Sequence, residues 1–170
     1  MSRTCTLKGN PLSLEGPELK VGDIAPDAVV RSNLVTDWKL SEGKGKTRIY
    51  SVVPSLDTPV CAEQTRRFYK EIAHLPNVEF YTISFDLPVA MARFCGAEGI
   101  DTTKFKVLSD AKHADFGRKY GTLIPEHRIN CRAAFVVGSD DKIKYAEYVK
   151  EVAEHPNYEA VLKVAKEVAG

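Results

Sequence analysis

A cysteine placed where a strand turns through prolines into a helix is set up for thiol chemistry. Residues 54–61, Pro54-Ser55-Leu56-Asp57-Thr58-Pro59-Val60-Cys61, have that form. Residues 48–53 before them are β-branched and aromatic and end at a proline, which predicts a buried strand. After them Thr65, Phe68, Tyr69, Ile72 and Leu75 recur at helical spacing, which predicts a helix over 61–75, stopped by Pro76-Asn77. Cys61 then falls in the first turn, where free N–H groups and the positive end of the helix dipole favour an anion, here a thiolate. Pro59 lacks an N–H and its fixed φ suits a helix start. Asp57 or Thr58 is expected to supply the capping oxygen. A single cysteine is also commonly a small buried hydrophobe, and the residues alone leave both readings open.

The other cysteines are Cys5, Cys95 and Cys131, and no two of the four form a C-x-x-C pair. That disfavours a zinc knuckle and an ordinary dithiol redox site, and four scattered cysteines do not make a secreted disulfide scaffold. The histidines, His74, His113, His127 and His155, are equally dispersed, so no metal site is expected. With 24 Lys and Arg against 23 Asp and Glu, nothing predicts nucleic acid or an anionic membrane as a partner. No apolar run approaches the roughly 20 residues that span a bilayer. The first eight residues lack the apolar core of a signal peptide, so a cytoplasmic location is expected. At 170 residues and 44% hydrophobic, a single domain, 1–170, with a substantial core is expected.

These elements must carry the cysteine. A hairpin is predicted over 4–14, turning at Gly9-Asn10, followed by short strands at 28–32 and 37–40 and an exposed turn over 41–46. The strand at 48–53 and its helix lead to a second strong strand, 78–84, making a β-α-β unit whose strands run parallel. A helix over 88–97, a strand at 106–108, a helix over 114–120 closed by Gly121 and a polar loop over 122–130 come next. A second hairpin, 132–137 with 142–148, and an amphipathic helix over 158–168 complete the chain. The pattern is α/β: a thioredoxin-like fold, a mixed central sheet flanked by helices, with an N-terminal β-hairpin.

Pro54-x-x-x-Thr58-x-x-Cys61 resembles the active-site motif of the peroxiredoxins, and the full string is similar to that of the bacterial thiol peroxidase branch, the atypical two-cysteine kind. Arg93-Phe94-Cys95-Gly96-Ala97-Glu98-Gly99 resembles that branch's resolving-cysteine segment. Residues 128–137, with Arg132, resemble its arginine-bearing strand. Cys131 departs from the branch, which usually has a small apolar residue there. Cys5 matches no functional position.

The resemblance implies a peroxidase without metal, haem or flavin that reduces hydrogen peroxide and organic hydroperoxides. Cys61 would be the nucleophile. An ordinary thiol, with pKa about 8.5, is only about 3% ionised at pH 7, so full ionisation gains about thirtyfold and the rest must come from orientation and charge stabilisation. Thr58 would set its hydroxyl beside the sulfur, and Arg132 would hold the sulfur and the leaving oxygen. Pro54 would shield the sulfur from water. Cys95 would condense with the Cys61 sulfenic acid, forming an intramolecular disulfide that thioredoxin reduces. Because two helices separated by a strand do not normally bring sulfurs within bonding reach, local unwinding of one or both helix ends is expected. A homodimer is implied as well. The alternatives are a thiol-disulfide carrier, or a non-catalytic binding or holdase module on the same fold.

Overall fold

The computed structural model describes residues 2–103 and 105–170. In chain order the elements are β1 (Arg3–Leu7), β2 (Asn10–Leu14), β3 (Val29–Arg31), β4 (Asp37–Lys39), β5 (Thr47–Val52), α1 (Pro59–Ile72), β6 (Val78–Ser84) and α2 (Pro88–Glu98). There follow β7 (Phe105–Ser109), α3 (Asp115–Tyr120), β8 (Leu123–Ile124), β9 (Ile129–Asn130), β10 (Ala133–Val137), β11 (Ile143–Tyr148) and α4 (Tyr158–Ala169). One seven-stranded sheet has the order β11-β10-β5-β6-β7-β3-β4. Strands β5, β6 and β7 run parallel, and β10 returns antiparallel beside β5, with Ala133 opposite Val52. The expected mixed sheet with an N-terminal hairpin is therefore present.

Alternation along the strands divides the core. Tyr50, Val52, Tyr81, Ile83 and Phe135 pack on one side with Phe116 and Tyr120 of α3 and with Cys5 of the hairpin. On the other side Ile49, Phe80, Phe105 and Ala134 pack with Phe68 of α1, Cys95 of α2 and Tyr158 of α4. All six residues of β5 are buried, as a central strand covered on both faces requires. Phe68 meets Phe80 at 5.0 Å and Tyr158 at 5.1 Å between ring centroids, which fixes α1 against both sheet and α4. Burial of such a ring contributes about 1.5–3 kcal/mol.

Four local expectations change. The N-terminal hairpin turns at Lys8-Gly9, both at positive φ, and Asn10 already pairs with Leu7; a two-residue turn of this hand needs positive φ at both positions. Residues 41–46 are not simply an exposed turn. A 3-10 helix spans Leu40–Gly43, and a Cβ on Gly43 would lie 2.2 Å from the Tyr81 hydroxyl oxygen. Helix α1 ends at Ile72 rather than Leu75, because the last turn tightens into Leu75 N–H to Ile72 carbonyl bonding. The stretch 122–130 is not a polar loop throughout: β8 and β9 pair, and the Thr122 hydroxyl donates to Asn130 Oδ1 at 2.8 Å, so its polar groups are satisfied inside. Among the described residues no helix is long and apolar enough to cross a membrane.

Candidate active site

Strand β5 delivers the chain to Pro54, which is buried, and the following loop is tied to the end of β6 by Asp86. The Asp86 carboxylate accepts from Ser55 Oγ at 2.6 Å, from the Leu56 N–H at 2.7 Å and from Ser84 Oγ at 2.6 Å. Thr58 is the N-cap of α1, with extended backbone, but no side-chain cap forms. Its hydroxyl is exposed and donates back to the Ser55 carbonyl at 3.0 Å, and Asp57 caps nothing either. The reason is local. The turn puts the Ser55 carbonyl within reach of the threonine hydroxyl, which is thereby drawn away from the Val60 and Cys61 N–H groups that a cap would take. Cys61 is the third helical residue, fully buried among Val53, Leu56 and Met91.

Opposite it lies Arg132, one residue before β10. Because Ala133 is paired with Val52, Arg132 stands at the end of the sheet where β5 gives way to the proline loop. Its side chain is 2% exposed and fully engaged. Nη2 donates to the Cys61 sulfur at 3.3 Å, Nη1 to Gln64 Oε1 at 2.7 Å and Nε to the Val152 carbonyl at 2.9 Å. Gln64 in turn donates through Nε2 to Ser51 Oγ at 2.7 Å. A cation aimed at a buried sulfur, within a network that leaves no nitrogen of the fork idle, stabilises negative charge on that sulfur and on an oxygen attached to it.

Sequence reasoning found Cys61 and Arg132 and missed Gln64, Ser51, Asp86 and the Val152 carbonyl. One signal was available. Gln64 lies three residues after Cys61, hence on the same helix face, and a glutamine on a stripe of buried residues needs a buried polar partner.

Cys95 is buried on the α1 side of the sheet and packs in a cluster separate from that of Cys61; both are free thiols. Burial pushes the Cys95 thiol up to about 11. Met91 and Cys95 are the two buried residues of α2, and the helix stops four residues past Cys95 at Gly99, in the left-handed region at φ 67°. Its last turn is clamped to α1 by Arg66, whose Nε and Nη2 donate to the two Glu98 oxygens at 2.7 and 2.8 Å. Cys5 and Cys131 belong to the opposite side of the sheet, and burial raises both thiols. Between the proline loop and α2 opens a cleft of about 670 Å³ whose walls include Leu56, Asp57, Val89, Arg93 and Phe94. Val89 in that wall is exposed, as is Leu87 two residues before it.

Comparison with known proteins agrees with this geometry. The Redoxin family model matches residues 20–162. The thiol peroxidase of Oceanobacillus iheyensis is 54% identical over 157 residues, covering 92% of this chain and 94% of that protein. The thiol peroxidase of Bacillus subtilis is 50% identical over 161 residues, 95% of each. Among solved structures, a peroxiredoxin-like protein from Aquifex aeolicus superposes with a TM-score of 0.90 at 40% identity, covering 99% of this chain and 98% of that one. A relationship this even across both chains, with the sulfur and guanidinium already found together in the fold, places the chain in the Redoxin family, among the thiol peroxidases.

Proposed function

We propose that residues 1–170 form one catalytic domain that reduces hydroperoxides at Cys61. The Cys61 thiolate attacks one peroxide oxygen, the O–O bond breaks, and the other oxygen leaves as an alcohol or water after taking up a proton. Arg132 holds the sulfur and the departing oxygen; the 3.3 Å contact between Nη2 and the sulfur at the head of α1 carries the reading. Thr58 and Pro54 complete the site. Pro54 closes it against water, and the Thr58 hydroxyl turns from the Ser55 carbonyl toward an incoming peroxide. Since Cys61 is fully buried, the loop at 54–58 must shift to admit substrate from the neighbouring cleft.

The Cys61 sulfenic acid then condenses with the Cys95 thiol, releasing water and leaving a disulfide. Cys95 must leave its apolar site to do so, which also lowers the cost of its ionisation. With two buried residues and an early glycine stop, the end of α2 is the segment that unwinds most cheaply. A thioredoxin-type dithiol restores both thiols and is itself oxidised to a disulfide. A homodimer in which the exposed Leu87 and Val89 are covered, in the cytoplasm, completes the reading.

The test is hydroperoxide consumption coupled to thioredoxin and its reductase. The native chain turns over, Cys61→Ser does not, and Cys95→Ser stops after one equivalent with the sulfenic acid accumulating. Turnover by Cys61→Ser overturns the reading. Thioredoxin-linked turnover unchanged in Cys95→Ser removes Cys95 from the resolving role.

A further inference from the structure

Arg132 is gripped by a short segment that is itself gripped from the far end of the chain. The Val149 N–H donates to the Arg132 carbonyl at 2.9 Å, and the Val152 carbonyl accepts from Arg132 Nε at 2.9 Å. On its other side this segment pairs with β1. The Thr6 N–H donates to the Lys150 carbonyl at 2.7 Å, and the Val152 N–H to the Thr6 carbonyl at 2.8 Å. Between them the Glu151 carboxylate is a hub. Oε1 accepts from the Lys8 N–H at 2.8 Å and the Ala153 N–H at 3.2 Å, and Oε2 accepts from Thr6 Oγ1 at 2.7 Å and the Gly9 N–H at 3.1 Å.

Two details give this hub a direction. The hairpin turn holds Lys8 and Gly9 at positive φ, so its two N–H groups converge on one anion. The Ala153 N–H belongs to the same planar peptide as the Val152 carbonyl. Fixing that N–H on Glu151 therefore aims the carbonyl, and the carbonyl holds Nε of the guanidinium. Those donors keep Glu151 ionised, with its carboxyl held down to about 2.

We propose that Glu151 is a positioning residue for the peroxidase reaction, through which the N-terminal hairpin sets the orientation of Arg132 at the Cys61 sulfur. This rests on Cys61 being the reacting sulfur. Hydrogen-bond geometry of a fraction of an ångström at Nη2 is worth more in rate than in stability, because it acts on charge that develops during attack.

The experiment uses the full chain. In Glu151→Gln, the single carbonyl oxygen cannot serve four donors, and the amide turns an N–H toward backbone N–H groups. Hydroperoxide-driven oxidation of Cys61 is expected to slow about tenfold, and the ultraviolet thiolate absorbance at neutral pH to fall. In an Arg132→Met background the same substitution changes the oxidation rate by less than about twofold, while its effect on the melting temperature is the same in both backgrounds. Should Glu151→Gln not fold, Thr6→Val removes one hub bond and is expected to slow oxidation about threefold. A rate equal to that of the native chain, or an equal slowing in both backgrounds, overturns the proposal. If the native chain does not react, or Cys61→Ser does, it is the reading of the site that fails, and this inference falls with it.

Discussion

Replacing Arg132 by methionine keeps a long buried side chain and removes every donor. At 3.3 Å the attraction between a guanidinium and a thiolate is about 5 kcal/mol at an effective dielectric of about 20, before the cost of burying both offsets part of it. Loss of a preorganised donor to a developing anion typically costs about 10²–10³ in rate. The second-order rate constant for oxidation of Cys61 is therefore expected to fall by about 10²–10³. Gln64 Oε1 and the Val152 carbonyl lose their donor as well, at about 1–3 kcal/mol each, so the variant is to be assayed well below its melting temperature. A Cys95→Ser background stops the reaction at the sulfenic acid, which rapid mixing and a sulfenate-trapping reagent then count by mass spectrometry. Arg132→Lys should lie between the two, since one nitrogen cannot reach three acceptors in three directions. A fall of less than about threefold in a folded Arg132→Met protein would refute the assignment of charge stabilisation to this contact.

Three further outcomes are expected. Gln64→Met breaks the chain from Ser51 to Arg132 and should slow Cys61 oxidation about tenfold, with the loss abolished in Arg132→Met; stopped-flow rates of the single and double variants decide it. Glu98→Gln loosens the clamp on α2, an exposed ion pair, so disulfide formation after one equivalent of peroxide should quicken by up to about fivefold, read by alkylation and mass spectrometry. Asp110, buried against the start of α3, has its carboxyl pushed up to about 6 by burial, despite the Phe116 and Gly117 N–H groups it accepts. Because the native state then binds more protons than the unfolded chain between about pH 4 and 6, this group makes stability fall as pH rises through that window, by up to about 3 kcal/mol, and stay level above it. Urea midpoints of the native chain and Asp110→Asn at pH 4, 5 and 6 should differ by a pH-dependent amount of that sign.

The sequence was most legible where local chemistry and tertiary position agree. Strand β6 lies where its β-branched and aromatic run predicts, and Cys61 sits in the first turn of α1 because Pro59 can occupy N1. Arg132 was legible by resemblance alone. An arginine before a strand says nothing about the neighbour it meets, and only the antiparallel return of β10 beside β5 puts it at the sulfur. Gln64 and Glu151 were hidden for the same reason, since their partners lie 68 and 142–145 residues away in sequence. The Thr58 cap was misread because a hydroxyl three residues after a carbonyl has a competing partner that propensity rules do not weigh.

The placement of four thiols on two sides of one sheet bears on how the molecule ages. Cys61 and Cys95 lie in two separate clusters that both include residues of α2, whereas Cys5 and Cys131 lie in a third, on the opposite side of the sheet. A scrambled bridge between the two sets would have to join thiols that are buried on opposite sides of the sheet. On the proposed reading, wear over many cycles falls on Cys61 rather than on mispairing, and the spent form of this protein is expected to be a chain with one over-oxidised cysteine and three intact ones.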